Sequence, residues 1–174
     1  MRFADLLRIT VLLSAGAATA LAASCLVGTR NDPGSTVVVQ AAAWWAIAAV
    51  VGGVLGHRRA TTAPIAHALA EARPATSMPE HRPAAVIVNR LWPLLAATAG
   101  AGALAFLAPQ VPGIAAGFAI IWALAWRFQD RAVTGVEERD GVSFWVAPTS
   151  PLKPIELLRM PGLRREVPEL PDRP

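Results

Sequence analysis

The chain reads as an all-α membrane protein, with four transmembrane helices in two antiparallel hairpins and a short cytoplasmic β-hairpin tail. Three observations predict this. Residues 91–126 form a stretch of 36 without a charged side chain, broken only by the Pro-Gln-Val-Pro-Gly turn at 109–113. Two more apolar runs lie upstream, at 9–28 and 37–56. Charged residues make up 16% of the chain, against about 25% in an average globular domain. An unsatisfied backbone group in lipid is so costly that a chain can cross only as helices or a closed barrel. Long unbroken apolar runs are the helical solution.

A spanning helix needs about 20 apolar residues for a hydrocarbon core of ~30 Å. Helix 1 fits at about residues 6–28, helix 2 at 36–56 and helix 3 at 85–107. Helix 4, about 113–133, is the weakest. Its uncharged part, 113–126, has fourteen residues, or roughly 21 Å at 1.5 Å per residue. It spans if Arg127 snorkels to the headgroups and Trp126 lies in the interface; a re-entrant segment is the rival. The membrane domain is thus 1–134, the tail 135–162, and a Pro- and charge-rich C-terminus at 163–174 is expected to be disordered.

Helix 1 also has the outline of a signal peptide: a basic start, an apolar core and Ala20-Leu21-Ala22 before Ala23. Ala22-Ala23-Ser24-Cys25 half-resembles a lipoprotein cleavage site, but the large apolar residue falls four positions before the cysteine, at Leu21, rather than three. The apolar run continues through Gly28, which favours a retained span. Cys25 is the single cysteine, so no intramolecular disulfide and no Cys-based zinc site can form.

Charge asymmetry sets the orientation. Arg2, Arg8, Arg58, Arg59, Arg73, Arg82, Arg127, Arg131 and Arg139 fall on one side, against Arg30 alone on the other, where Asp32 offsets it. Positive residues prefer the cytoplasm, so both termini and the long loop between helices 2 and 3 face inward. Arg58, Arg59, Arg90 and Arg127 are placed to meet inner-leaflet lipid. The sequence pI of 10.9 overstates the basicity, since residues 127–174 carry eight basic and eight acidic groups. No clustered basic stripe with stacking aromatics is present, which argues against nucleic acid as a partner.

Helices associate in lipid where small residues let backbones approach. Helix 2 offers Ala48, Gly52 and Gly56 at spacing four, helix 3 offers Ala96 and Gly100, and helix 4 offers Gly113 and Gly117. Packing within one chain is the preferred use of these residues, and homo-oligomer contact is the alternative. Trp92, Trp122 and Trp126 fall near the inner interface, where indoles anchor. Trp44 and Trp45 lie deeper and are read as filling the bundle or facing lipid.

The span centres hold no ionisable residue, although such residues usually mark ion or proton paths. Ser14, Gln40 and Thr98 are the notable polar groups at depth. His57, His67 and His81 share the inner loop at spacings of ten and fourteen, which match no compact metal motif. No nucleophile elbow, zincin motif or phosphate-binding glycine loop occurs, so no catalytic set, metal or cofactor is assigned.

In the inner loop, residues 64–72 read as a short helix started by Pro64, with Ile65 and Leu69 on one side. In the tail, Asp140-Gly141 reads as a hairpin turn between residues 134–138 and 142–147. Val142, Phe144 and Val146 alternate with Ser143, Trp145 and Ala147, the period of a half-buried strand. An isolated hairpin is marginal in water, so the Val142, Phe144 and Val146 stripe is the expected docking face, covered by the inner loop, the membrane or a partner. Residues 154–159 are the candidate third strand.

The segments "NRLWPLL", "LAPQVPGIAAGFAIIWALAW" and "VEERDGVSFWVAPTSPLKPIELLRMPG" resemble those of actinobacterial four-helix integral membrane proteins of unknown function, over residues 89–162. The resemblance implies a bacterial plasma membrane and a bundle with a tail, and it carries no activity, cofactor or catalytic residue. The preferred function is a non-enzymatic scaffold or accessory subunit that presents its tail to a membrane or cytoplasmic protein. The alternatives are a small-solute or lipid transporter component and a membrane enzyme acting on lipid. Polar groups lining a common cavity favour transport, a His and carboxylate cluster at the inner interface favours an enzyme, and a dry Ala/Gly-packed bundle favours a scaffold.

Overall fold

Helix α1 (Phe3–Gly28) is the element on which the rest is assembled. At 26 residues and 1.5 Å per residue it is roughly 39 Å long, which exceeds a ~30 Å hydrocarbon core. The surplus first two turns are available for packing beyond the bundle. A computed structural model describes residues 1–30, 35–57, 61–75, 83–147 and 155–161. After α1 come α2 (Val37–Leu55), a short α3 (Ala63–Ala70), a two-residue strand β1 (Arg73–Pro74) and α4 (Pro83–Ala103), which ends in a 3-10 turn at Leu104–Phe106. Then follow α5 (Gln110–Trp126), α6 (Gln129–Asp140), β2 (Val142–Val146) and β3 (Leu157–Pro161). Among the described residues, four helices are long and apolar enough to cross a membrane: α1, α2, α4 with its 3-10 turn, and α5 running on into α6.

Helix α5 begins at Gln110, three residues before its expected start, because Pro112 falls in its first turn, where no backbone N–H is needed. It is the hub of the bundle. Its buried residues, Pro112, Gly113, Ala116, Gly117, Ala119 and Ala123, are all small, and both α1 and α2 pack closely on it. A β-carbon on Gly113 would lie 3.1 Å from Cys25 Sγ and 3.3 Å from Ala41 Cβ, so the end of α1 and the start of α2 both meet the start of α5. Gly52 faces Ile121 and Leu124 near the other end. Hence α2 runs parallel to α5 and α1 runs antiparallel to it. The tight packing is α1 on α5 and α2 on α5, and not within an α1–α2 hairpin. Helix α4 stands further out, with Val86 its one buried residue among those described.

The remaining elements form a cap at the end of the bundle where α1 begins. Its sheet has strand order β1-β3-β2, with β1 parallel and β2 antiparallel to β3. The Val146 N–H donates to the Met1 carbonyl (3.1 Å), and Arg2 bridges to Trp145, so the chain start lies along the free edge of β2. One apolar core joins Met1, Phe3, Leu6 and Leu7 to Ile65 and Leu69 of α3, Val133 of α6, and Phe144, Val146 and Leu157 of the sheet.

Here the tail departs from the sequence expectation. Residues 134–138, expected as the first hairpin strand, are helical and lie within α6. Gly141, at φ 62°, is the left-handed cap that ends this helix, the role glycine fills most readily, and is not a hairpin turn. Strand β2 pairs instead with β3, from Val142 opposite Pro161 to Val146 opposite Leu157. Strand β3 overlaps the expected third strand but begins three residues later. The residues expected to be disordered, 163–174, lie outside the described residues.

Candidate functional site

Two features at the capped end concentrate polar chemistry: the seam between α6 and β2, and a cleft beneath α3. In the seam, α6 buries Gln129, Val133 and Glu137, spaced four apart on one face. Each buried polar side chain ends on a backbone donor of another element. The Thr62 N–H, at the start of α3, donates to Gln129 Oε1 (3.0 Å). The Phe144 N–H donates to Glu137 Oε1 (2.7 Å). Glu137 is only 7% exposed. A bond to a charged acceptor is worth more than a neutral one, and an orphaned buried donor is expensive. Glu137→Ala is therefore expected to destabilise the cap by about 1–3 kcal/mol, and Glu137→Gln, which keeps a carbonyl oxygen, by less. Amide exchange across β2 should accelerate in that order; equal exchange in both variants would remove Glu137 from the account.

The cleft is a cavity of about 890 Å³ between α1, α3, α4, the end of α5 and the approach to β3. Its rim is polar and carries His67, Glu71, Arg73, Arg90 and Glu156. Glu71 Oε1 lies 3.4 Å from His67 Nε2, and Glu156 Oε2 lies 3.7 Å from Arg73 Nη1. Its wall is apolar. Trp122 and Trp126, one turn apart on α5, stack with ring centroids 5.5 Å apart and planes 12° from parallel, and Leu7 and Leu91 complete that side. Thr10 also lines it, but its hydroxyl donates to the Leu6 carbonyl (2.8 Å). The arrangement offers two guanidiniums, two carboxylates, an imidazole and a flat apolar surface, which is binding chemistry. A smaller cavity, about 510 Å³, lies across the cap by Met1, Asp5 and Trp145. Burial there pushes the Met1 amino group below its ordinary value, with the Asp5 charge opposing.

The small residues singled out from sequence fall into two groups. Ala48, Gly52 and Gly56 are buried on α2. A β-carbon on Gly52 would lie 2.9 Å from Leu124 Cβ, and one on Gly56 would collide with the Leu124 carbonyl. Gly117 lies against the Trp44 indole. Ala96 and Gly100 do not join this packing: Ala96 is exposed, and a β-carbon on Gly100 would meet nothing within 4 Å. Phe144 and Val146 lie in the chain's own core, and Val142 is half-buried beside it. Among the basic residues, Arg90 lines the cleft, and the exposed Arg127 places its guanidinium 4.6 Å over the Phe128 ring. Arg58 and Arg59 lie outside the described residues, as does His81. Among the described residues no three metal-ligating side chains come together.

Sequence reasoning missed the polar seam and the use of two tryptophans. Trp44 Nε1 donates to the Ile114 carbonyl (3.0 Å) and Trp45 Nε1 to the Gly113 carbonyl (2.8 Å), tying α2 to the start of α5. The available signal was depth. An indole N–H remote from water needs an acceptor, and two adjacent ones imply a close neighbouring backbone.

No family model, curated protein or solved structure matches the chain.

Proposed function

We propose that the chain is a non-enzymatic scaffold or accessory subunit of a bacterial plasma membrane. In this reading it is multi-pass, its capped end and both termini are cytoplasmic, and α1 is retained. The observation that carries the reading is the shared core between α1 and the cap. A domain on a flexible tether samples many orientations, whereas this cap is packed onto the first two turns of a bundle helix. Fixed presentation of a surface is what a scaffold needs. The Ala/Gly-packed contacts of α1 and α2 with α5 agree with it. The surface presented is not the Val142, Phe144 and Val146 stripe, which the protein's own core takes up. It is the outer face of α6, where Arg131, Thr134 and Glu138 are exposed.

Paired charge reversal, Arg131→Glu with Glu138→Lys, is expected to abolish recovery of co-purifying proteins in mild detergent while leaving the membrane-bound amount unchanged. Unaltered recovery would refute presentation by this face. The orientation is tested in a Cys25→Ala background. Gln110→Cys should react with an impermeant thiol reagent on intact cells, and Glu71→Cys should react only after permeabilisation. The opposite pattern would invert the topology.

A further inference from the structure

We propose that the smaller cavity, between the start of α1, the start of α4 and β2, binds the phosphate headgroup of one anionic phospholipid between Arg2 and Arg8. The site requires α1 to span the bilayer and is independent of the scaffold role. The first observation is charge. Arg2, Asp5 and Arg8 line a cavity of about 510 Å³, and among the described residues neither arginine enters a salt bridge. Asp5 is the one carboxylate among the described lining residues, and it lies near the Met1 amino group. The cavity therefore keeps a positive balance. An arginine fork matches the oxygens of a phosphate, and basic pockets between membrane helices bind anionic headgroups.

The second observation is that both arginines start from fixed backbone. The Val146 N–H donates to the Met1 carbonyl and Arg2 bridges to Trp145, so Arg2 is held along the edge of β2. Arg8 stands within α1, directly after Leu6 and Leu7 of the shared core. A site whose backbone is already in place loses less entropy on binding.

The third is depth. Arg8 lies twenty residues before Gly28, where α1 ends. That separation is roughly 30 Å along a helix, which places Arg8 at the edge of a ~30 Å hydrocarbon core. Arg2 lies six residues earlier, roughly 9 Å further out, and the headgroup layer is roughly 5–8 Å thick on each side. The two arginines thus bracket the plane of the phosphates. Ile9, one residue deeper than Arg8, also lines the cavity. It gives a lipid's first methylenes an apolar contact that a free phosphate ion would leave unused.

The test uses the full-length protein in bilayer discs of mixed phosphatidylglycerol and phosphatidylcholine, released for native mass spectrometry. The wild-type chain should retain one phosphatidylglycerol in preference to phosphatidylcholine. Arg2→Gln and Arg8→Gln should each lower that retention roughly fivefold, the share of one basic residue at an anionic surface, and together they should abolish the preference. Asp5→Asn should raise retention, and it keeps the test decisive if removing an arginine disturbs folding or orientation. A fall in Asp5→Asn would mean that Asp5 serves only to hold the arginines, and would overturn the proposal. Arg127→Gln is the control, since Arg127 is exposed and lines neither cavity; it should change nothing. Equal loss in Arg127→Gln, or no headgroup preference in the wild type, would mean annular lipid only and overturn the site. Phosphatidylglycerol should raise the thermal stability of the delipidated protein and inorganic phosphate should not; equal stabilisation would overturn the lipid assignment. Recovery of the chain in the soluble fraction would overturn the spanning reading and the site together, whereas membrane-bound protein without the preference overturns the site alone.

Discussion

Gly56→Leu is expected to lower stability in detergent by about 2–3 kcal/mol, at the upper end of what overpacking costs. The close neighbour of Gly56 is the Leu124 carbonyl, a backbone atom that cannot rotate aside. Relief requires α2 and α5 to separate, which also lengthens the indole bonds from Trp44 and Trp45 to the α5 carbonyls. Interhelical polar bonds in membranes average about 0.6 kcal/mol, so the steric term dominates. Gly100→Leu is the paired control. Open space surrounds that position, and its effect should stay within roughly 0.5 kcal/mol, as for other surface changes. Thermal unfolding of both variants in one detergent decides the matter. If Gly100→Leu is the more damaging, α4 has a tight contact that the described chain does not supply, and a second copy becomes the first candidate for it.

Phe144→Asp is expected to unfold the cap and leave the spans inserted. Phe144 is 3% exposed among Leu6, Ile65, Val133 and other apolar side chains of the cap core. Truncating a buried Phe costs about 3–5 kcal/mol by itself, and a buried carboxylate with no partner adds more. Insertion depends on the apolar runs, none of which includes residue 144. Vesicles carrying the variant should show the wild-type amount of membrane-bound protein but rapid proteolysis within 136–147. A variant as resistant as the wild type would mean that Phe144 does not hold the cap. Loss from the membrane fraction would mean that the cap is needed for insertion.

The sequence by itself determined the four long apolar helices, because each must show a nearly continuous apolar run to cross lipid. It also determined the short loop helix, since Ile65 and Leu69 mark one face and Pro64 a start. Strand β2 was legible from alternation, although both its faces are partly covered: Ser143 is buried along with Phe144 and Val146. Its partner was not. Asp140-Gly141 reads equally well as a hairpin turn or a helix stop, and the choice depends on whether the preceding residues are helical. Helix α6 was missed because two of its three buried positions are Gln129 and Glu137, residues that sequence patterns assign to solvent. They are buried only because Thr62 and Phe144, on other elements, supply the N–H groups they bond.

Tertiary structure alone decided which helices touch. Helices α4 and α5 are both rich in Ala and Gly, yet α5 is the hub and α4 stands at the margin. Small residues permit close approach without naming a partner. What selects α5 is mutual fit, with Cys25, Ala41 and Trp44 seated on Gly113 and Gly117 and two indoles bonded to its carbonyls. The cleft is likewise a tertiary product. Its rim and wall come from segments at residues 7, 67, 90, 122 and 156, which no local pattern relates. They meet because α1 is long enough to carry the cap past the end of the bundle, and the cap covers only part of the space between α1, α4 and α5.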